Sequence, residues 1–322
     1  MTEIVHAGAV AVVNAQGALQ ASAGDPHAMS FTRSTIKPFQ ALPFLQAGGI
    51  ERFGFNTQQT ALLCASHNGE DMHVAQVDDM LEKIGQSYKA LQCGCHVPLR
   101  FGYGGQVAPA DLRFDERHNN CSGKHTGFLA YCVQHQLPLG NHLAPEHPLQ
   151  VAIYQSVLRA TGAQPSQLVA GTDGCSAPNY AMPLSKLVYA FARLASGAQD
   201  PEFGPHYAVL RHAMVAHPEM VSGTGRNDLA FTQAGRGDWI TKIGADGVQV
   251  IASIERSEAI AIKVISGHMP ALYAAAVEAM DQLGWLDAAQ RELLKPWAQQ
   301  NLLNARGRQT GEVRPTFKLV TS

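Results

Sequence analysis

Ser34 and Lys37 stand three residues apart in the segment Thr32-Arg33-Ser34-Thr35-Ile36-Lys37-Pro38. On a helical turn, positions i and i+3 share a face, with Cβ atoms about 5–6 Å apart. A neutral lysine amine at that distance can take the proton of a serine hydroxyl and make it a nucleophile. Two further elements supply partners of the same types. Ser66-His67-Asn68 is a Ser-x-Asn element in a loop between two expected helices, and Lys242-Ile243-Gly244 closes an expected edge strand.

A second cluster of reactive side chains is denser. It comprises His118-Asn119-Asn120-Cys121-Ser122-Gly123-Lys124-His125-Thr126-Gly127 and, downstream, Gly171-Thr172-Asp173-Gly174-Cys175-Ser176-Ala177-Pro178-Asn179. Two cysteines, a histidine, an aspartate and a lysine in two Gly-rich loops suit a small Zn²⁺ site. On spacing alone, buried structural cysteines are the default alternative. Cys64 and Cys132 read as core, and Cys93-Gly-Cys95-His96 as a second candidate metal site. Six cysteines in 322 residues are too sparse for a disulfide framework.

The elements that must position these residues can be read from pattern. Gly8–Val13 and Ala18–Ala23 form an N-terminal hairpin around Asn14-Ala-Gln-Gly17. Apolar residues at Ile36, Phe39, Leu42 and Leu45 give a helix over 34–48. Pro38 lacks a donor and fits only a first turn, so Ser34 sits at the helix start, where unpaired N–H groups favour a developing anion. Helices are expected at 56–63, 71–84, 148–161, 183–197 and 269–283. Strands are expected at 239–242, 248–252 and 259–265, the first two joined by a turn at Gly244-Ala-Asp-Gly247. Strands at both ends of a mostly helical chain predict an α+β fold, with one antiparallel sheet assembled from the termini. The expected organisation is a single unit spanning 1–322. Its sheet comes from about 1–30 and 236–266, followed by a C-terminal helix, and its helical and loop region covers about 31–235.

Composition narrows the functional classes. With 46% hydrophobic and 16% charged residues, the chain can bury a large core. A net charge of −2 and a pI near 6.7 give no electrostatic case for nucleic acid or an anionic membrane surface. The apolar run at 7–13 is too short to span a bilayer and lacks a basic leader. The expectation is a soluble, cytoplasmic protein.

Ser34-x-x-Lys37, Ser66-x-Asn68 and Lys242-x-Gly244 occur in the order of the serine β-lactamase set, although Ile243 replaces the usual hydroxyl residue. Thr32-Arg33-Ser34-x-x-Lys37-Pro38, Ala65-Ser66-His67-x-Gly69-Glu70, Asn119-Asn120-Cys121-Ser122-Gly123-Lys124-His125 and Gly171-Thr172-Asp173-Gly174-Cys175 resemble the class 3, rhizobial-type asparaginase II family. Ser222-Gly223-Thr224-Gly225-Arg226-x-Asp228 and Lys242-x-Gly244-Ala245-x-Gly247 continue the resemblance over nearly the whole length. It implies a serine β-lactamase/glutaminase-like fold, a homodimer, and hydrolysis of L-asparagine to aspartate and ammonia. It further implies Zn²⁺ held by Cys121, Lys124 and Cys175, with Asp173 close by.

Ser34 is the expected nucleophile and Lys37 its base. Work near neutral pH would need a lysine pKa lowered by roughly three units, about 4 kcal/mol of environmental bias. Ser66 would relay a proton to the departing ammonia, with Lys242 holding its hydroxyl. The exchanged assignment, Ser66 attacking with Lys242 as base, uses the same residue types and stays open. Arg33 is the candidate for the substrate carboxylate, Asp173 for its amine, and His125 for orienting either end. Arg226 and Asp228 read as a structural ion pair. The rival readings are a serine-lysine glutaminase or other small-amide hydrolase, a zinc hydrolase using metal-bound water, and an amino-acid-sensing module without turnover.

Overall fold

The computed structural model of the chain describes residues 1–103 and 107–322. Its central sheet is antiparallel and joins the two ends of the sequence. The strands of the chain are β1 (Gly8–Asn14), β2 (Leu19–Ala23), β3 (Met29–Phe31), β4 (Val169–Thr172), β5 (Pro178–Pro183), β6 (Trp239–Gly244), β7 (Val248–Ser253), β8 (Glu258–Val264), β9 (Gln300–Leu303), β10 (Gln309–Val313) and β11 (Val320–Thr321). The six-stranded sheet runs β11-β2-β1-β8-β7-β6. The seam is β1 against β8, with Val10 opposite Ile262 and Val12 opposite Ile260. β6 lies at one edge, where the sequence expects Lys242.

Side-chain alternation gives the sheet two different faces. Ala9, Ala11, Val250, Ala252, Ala259 and Ala261 point to one core, and Val10, Val12, Ile251, Ile260 and Ile262 to another. The Ala-rich face admits the helix Leu184–Ser196, which buries Leu187, Val188, Phe191 and Leu194 at helical spacing. The bulkier face is covered by Met269–Gln282, through Leu272, Ala276 and Met280. Most of the remaining helices stack on the Ala-rich side, so Lys242, which shares the parity of Ile240 on β6, projects among them.

The α+β class and the terminal origin of the sheet agree with the pattern reading. The expected helix over 34–48 is broken into a 3₁₀ turn Arg33–Ile36 and two short helices, Lys37–Gln40 and Leu42–Gln46. Pro38 and Pro43 each sit in the first turn of one of those helices, and neither can donate to the turn before it. The middle region also holds a sheet, β3-β5-β4. These strands escape pattern reading because β3 has three residues, β4 contains a glycine and β5 begins and ends with proline. The β9–β10 hairpin and β11 were likewise not expected. Among the described residues, no helix is long and apolar enough to cross a membrane.

One close approach sets the position of the cysteine-rich loop. The helix Ser122–Gln134 packs on Thr57–Leu63 through Gly123, where a Cβ would lie 2.5 Å from the Leu62 carbonyl oxygen. Leu62 backbone is fixed within its own helix and cannot give way as a flexible side chain would. Gly123→Ala should therefore destabilise the fold by about 1–3 kcal/mol. A fall in urea midpoint at unchanged m-value would verify it, and an unchanged midpoint would show that the two helices can part without cost.

Candidate active site

The serine-lysine segment is held in an unusual backbone geometry. Arg33 has φ 50°, a left-handed conformation that costs an L-residue roughly 1–2 kcal/mol. Asn179, buried on β5, offsets that cost. Its Oδ1 accepts from Arg33 N at 3.1 Å and its Nδ2 donates to Arg33 O at 3.0 Å, while Thr32 Oγ1 donates to the same Oδ1 at 3.2 Å. The turn also lies against the end of β6. A Cβ on Gly244 would stand 2.9 Å from the Thr32 carbonyl oxygen and 3.1 Å from Arg33 Cβ. A Lys-x-Gly element thus aims Lys242 into the interior and lets the Ser34 turn close over the strand end two residues later.

Ser66 is the hub of the cluster. Its Oγ lies 3.0 Å from Lys37 Nζ and 3.0 Å from Lys242 Nζ. Lys37 also donates to the Ala65 carbonyl, and Lys242 donates to the Ile243 carbonyl at 2.9 Å. Ser66 N is anchored on the Val221 carbonyl at 2.8 Å, which fixes the loop after the helix Thr57–Leu63. Burial lowers the Lys242 pKa to about 7, with Lys37 and Arg226 acting in the same direction and Asp228 against them. Near neutral pH Lys242 is therefore divided between ammonium and neutral amine, whereas sequence reasoning looked to Lys37 for a lowered pKa.

Ser34 has no side-chain hydrogen-bond partner among the described residues. Its relative exposure is 9%, against 4% for Ser66, 1% for Lys37 and 0% for Lys242. Of the four groups, Ser34 is thus the one nearest the surface. Arg226 and Asp228 frame the cluster. Arg226 reaches Asn68 Oδ1 at 3.0 Å and the Ser66 carbonyl at 3.4 Å, while Asp228 Oδ2 lies 3.9 Å from Lys242 Nζ. Both therefore attend the cluster itself and do more than shape the preceding loop. The sequence signal for this was their shared motif with Ser222-Gly223, whose separate partners only the fold reveals.

Cys121, Lys124 and Cys175 also converge. Lys124 Nζ lies 3.0 Å from Cys175 Sγ, and the two thiols are hydrogen-bonding neighbours. The bond from Cys121 holds Cys175 far below the ordinary thiol range, with Lys124 adding to the effect, so one thiolate and one thiol face each other. Burial works against the Lys124 charge, but Cys175, Cys121 and Asp173 outweigh it and hold the ammonium above its usual pKa. Among the described residues, no group of three or more His, Cys, Asp and Glu side chains is arranged to hold a metal. The two cysteine sulfurs are ligands of the kind Zn²⁺ takes, and Lys124 would be an uncommon third that must first give up its proton. The Cys93 group is arranged differently: Cys93 is buried, Cys95 is exposed, and the His96 Nε2 is engaged by Asn120.

The candidate substrate residues join the two clusters. Arg33 Nε pairs with Asp173 Oδ1 at 3.0 Å, and its Nη1 contacts Asp246 in the β6–β7 turn. Asp173 Oδ2 is 3.9 Å from Cys175 Sγ. His125 is fully buried beside Cys175, and burial lowers its pKa to about 4, so it is neutral at physiological pH. A hydrogen bond with Cys175 works against the effect of burial. A cleft of about 420 Å³ opens on the far side of the Asp173–Ser176 turn, between Tyr154, Thr172 and Tyr180, and none of the serine-lysine residues lines it. Sequence reasoning gave no role to Asn179 or Asp246, which hold Arg33 from two sides. Asn179 is distant in sequence and its only signal was adjacency to the cysteine loop.

A comparison with curated proteins gave no match. The family model described as L-asparaginase II matches residues 1–315, which includes both clusters and the loops that carry them. The chain therefore belongs to the L-asparaginase II family and is an amidohydrolase acting on asparagine.

Proposed function

We propose that the chain hydrolyses L-asparagine through a serine acyl-enzyme, with Ser34 attacking and a wire Lys37–Ser66–Lys242 moving the proton. The observation that carries this reading is the placement of one hydroxyl, Ser66 Oγ, at 3.0 Å from both amines. A neutral Lys242 draws the Ser66 proton, and Ser66 takes one from Lys37. The freed Lys37 amine then accepts the Ser34 proton as Oγ attacks the side-chain amide carbon. The wire runs in reverse to protonate the departing ammonia, and water releases aspartate by the same route. On this account the lowered pKa belongs at the far end of the wire, because the proton lost by Lys242 is the vacancy that Lys37 uses.

The second reading, attack by Ser66 itself, draws on the same two distances. Exposure favours Ser34, since the attacking atom has to reach a substrate arriving from solvent. Arg33 binds the substrate carboxylate, and Asp173 and His125 stand at the amine end. Cys121, Lys124 and Cys175 would hold Zn²⁺, with Lys124 giving up its proton to bind it, and the ion would supply positive charge beside the substrate.

Three measurements test these assignments. Peptide mapping of acid-quenched enzyme should find the acyl mass on the peptide containing Ser34, and Ser34→Ala should abolish it. Ser66→Ala should keep the acylation site while slowing turnover by about 10²–10⁴-fold, as loss of a proton-transfer partner does; an acyl group on Ser66 would reverse the roles. The pH profile has a definite sign, since the neutral form of Lys242 is the active one. The kcat/KM value should rise through about pH 7 and be lost in proportion to proton concentration below it. Lys242→Met should abolish that limb together with most activity, and an unaltered limb would assign it to another group. Elemental analysis should find about one zinc per chain in the wild type and none in Cys121→Ala or Cys175→Ala, and retention in both would move the metal elsewhere.

A further inference from the structure

Asp228 is 1% exposed, and its carboxyl lies against the strand that carries Lys242. Its Oδ2 accepts from Ile243 N at 2.9 Å and lies 3.9 Å from Lys242 Nζ. Its Oδ1 accepts from Gln249 Nε2 at 3.0 Å and from Asn227 Nδ2 at 3.4 Å. The carboxyl stands in the first turn of the helix Asn227–Ala234, where the helix dipole favours an anion. Three donors and a helix start prepare it to be charged inside the protein. It also holds the residue that holds the lysine: Lys242 donates to the Ile243 carbonyl, in the peptide unit that follows, while Asp228 accepts from the Ile243 N–H.

We propose that Asp228 is a positioning residue for the reaction, which pins Lys242 on Ser66 through Ile243 and fixes the protonation of that amine through its own charge. The role rests on the proton wire described above. Lys242 is faced by Lys37 at the start of the helix Lys37–Gln40 and by Arg226 in the loop before Asn227. Cys121 before the helix Ser122–Gln134 and Cys64 after Thr57–Leu63 also face it. Burial is the main force that drives its proton off, and the two cations add to it. Cys64 is pushed up to about 12 by burial and stays a neutral thiol, and Cys121 is likewise held as a thiol by Cys175 and burial. Asp228 is the carboxylate that opposes burial and the cations, and so it limits how far the lysine pKa falls.

The test separates charge from geometry. Asp228→Asn keeps an oxygen for Ile243 N and removes the charge; Asp228→Glu keeps the charge. The proton on Lys242 is read directly from the 15N and 13Cε resonances of labelled lysine, with the signal assigned by its loss in Lys242→Met. In Asp228→Asn the Lys242 midpoint should move to lower pH by about 1–2 units, the size expected for an opposite charge at this distance. The acid limb of kcat/KM should move with it. Asp228→Glu should return both to within a few tenths of a unit of wild type. An unchanged Lys242 midpoint in Asp228→Asn overturns the proposal. A midpoint that moves while the kcat/KM limb stays still supports the hold of Asp228 on Lys242, and it removes Lys242 from the proton path. If Asp228→Asn does not accumulate as folded protein, Asp228→Ser carries the same measurement, since it leaves room for a water at Ile243 N.

Discussion

Two lysine amines share one buried serine hydroxyl, and the surrounding structure is arranged around the cost of that contact. The amines are at most about 6 Å apart. Two full positive charges at that distance would repel by about 3 kcal/mol at an effective dielectric of about 20, before the desolvation of either is counted. The site therefore favours holding one proton fewer than two ammonium groups would carry. Desolvation lowers the Lys242 pKa to about 7, and the neighbouring Lys37 adds to the effect. A lysine that titrates near neutral pH follows from packing two amines into a dry site.

Distant segments must meet within tenths of an ångström for that contact to exist. Lys37 comes from a helix start, Ser66 from a loop between helices and Lys242 from an edge strand whose position the rest of the sheet fixes. The Ala-rich face of the sheet contributes by letting Leu184–Ser196 settle close, which brings the helical layer within reach of β6. Gly244 and Gly123 play the same part at the two clusters: each removes a Cβ where one backbone lies on another. Backbone strain at Arg33 is compensated by Asn179.

Much of this was legible in the sequence, for physical reasons. β1, β6, β7 and β8 alternate or run apolar between clear turns, so their presence and their meeting in one sheet follow from pattern. The Ser-x-x-Lys, Ser-x-Asn and Lys-x-Gly elements have side-chain types that interact wherever a fold brings them together. What was not legible depends on distances between segments. Ser66 as the shared hub could not be told from Ser34, because both serines precede or follow helices and both had a lysine available. The lowered pKa was placed at Lys37 by its proximity in sequence, whereas burial, a property of the whole fold, puts it at Lys242. β4 and β5 were missed because proline and glycine at strand positions mimic loop, and only pairing with β3 makes them a sheet.

The two clusters hold their polar atoms in different ways. In the serine-lysine wire every buried side-chain nitrogen, and the Ser66 oxygen, has a partner within the protein. Such a network can pass a proton without first finding a bond to break. Beside the thiols, His125 is fully buried and kept neutral by that burial, with a hydrogen bond to Cys175 working against it. Cys175, held far below the ordinary thiol range, meets the Lys124 ammonium at 3.0 Å there, so opposite charges are paired. Arg33 and Asp173 tie that cluster to the Ser34 turn by an ion pair at 3.0 Å. A shift at Cys175 therefore reaches the backbone that carries Ser34 through Asp173 and Arg33, a path of three side chains.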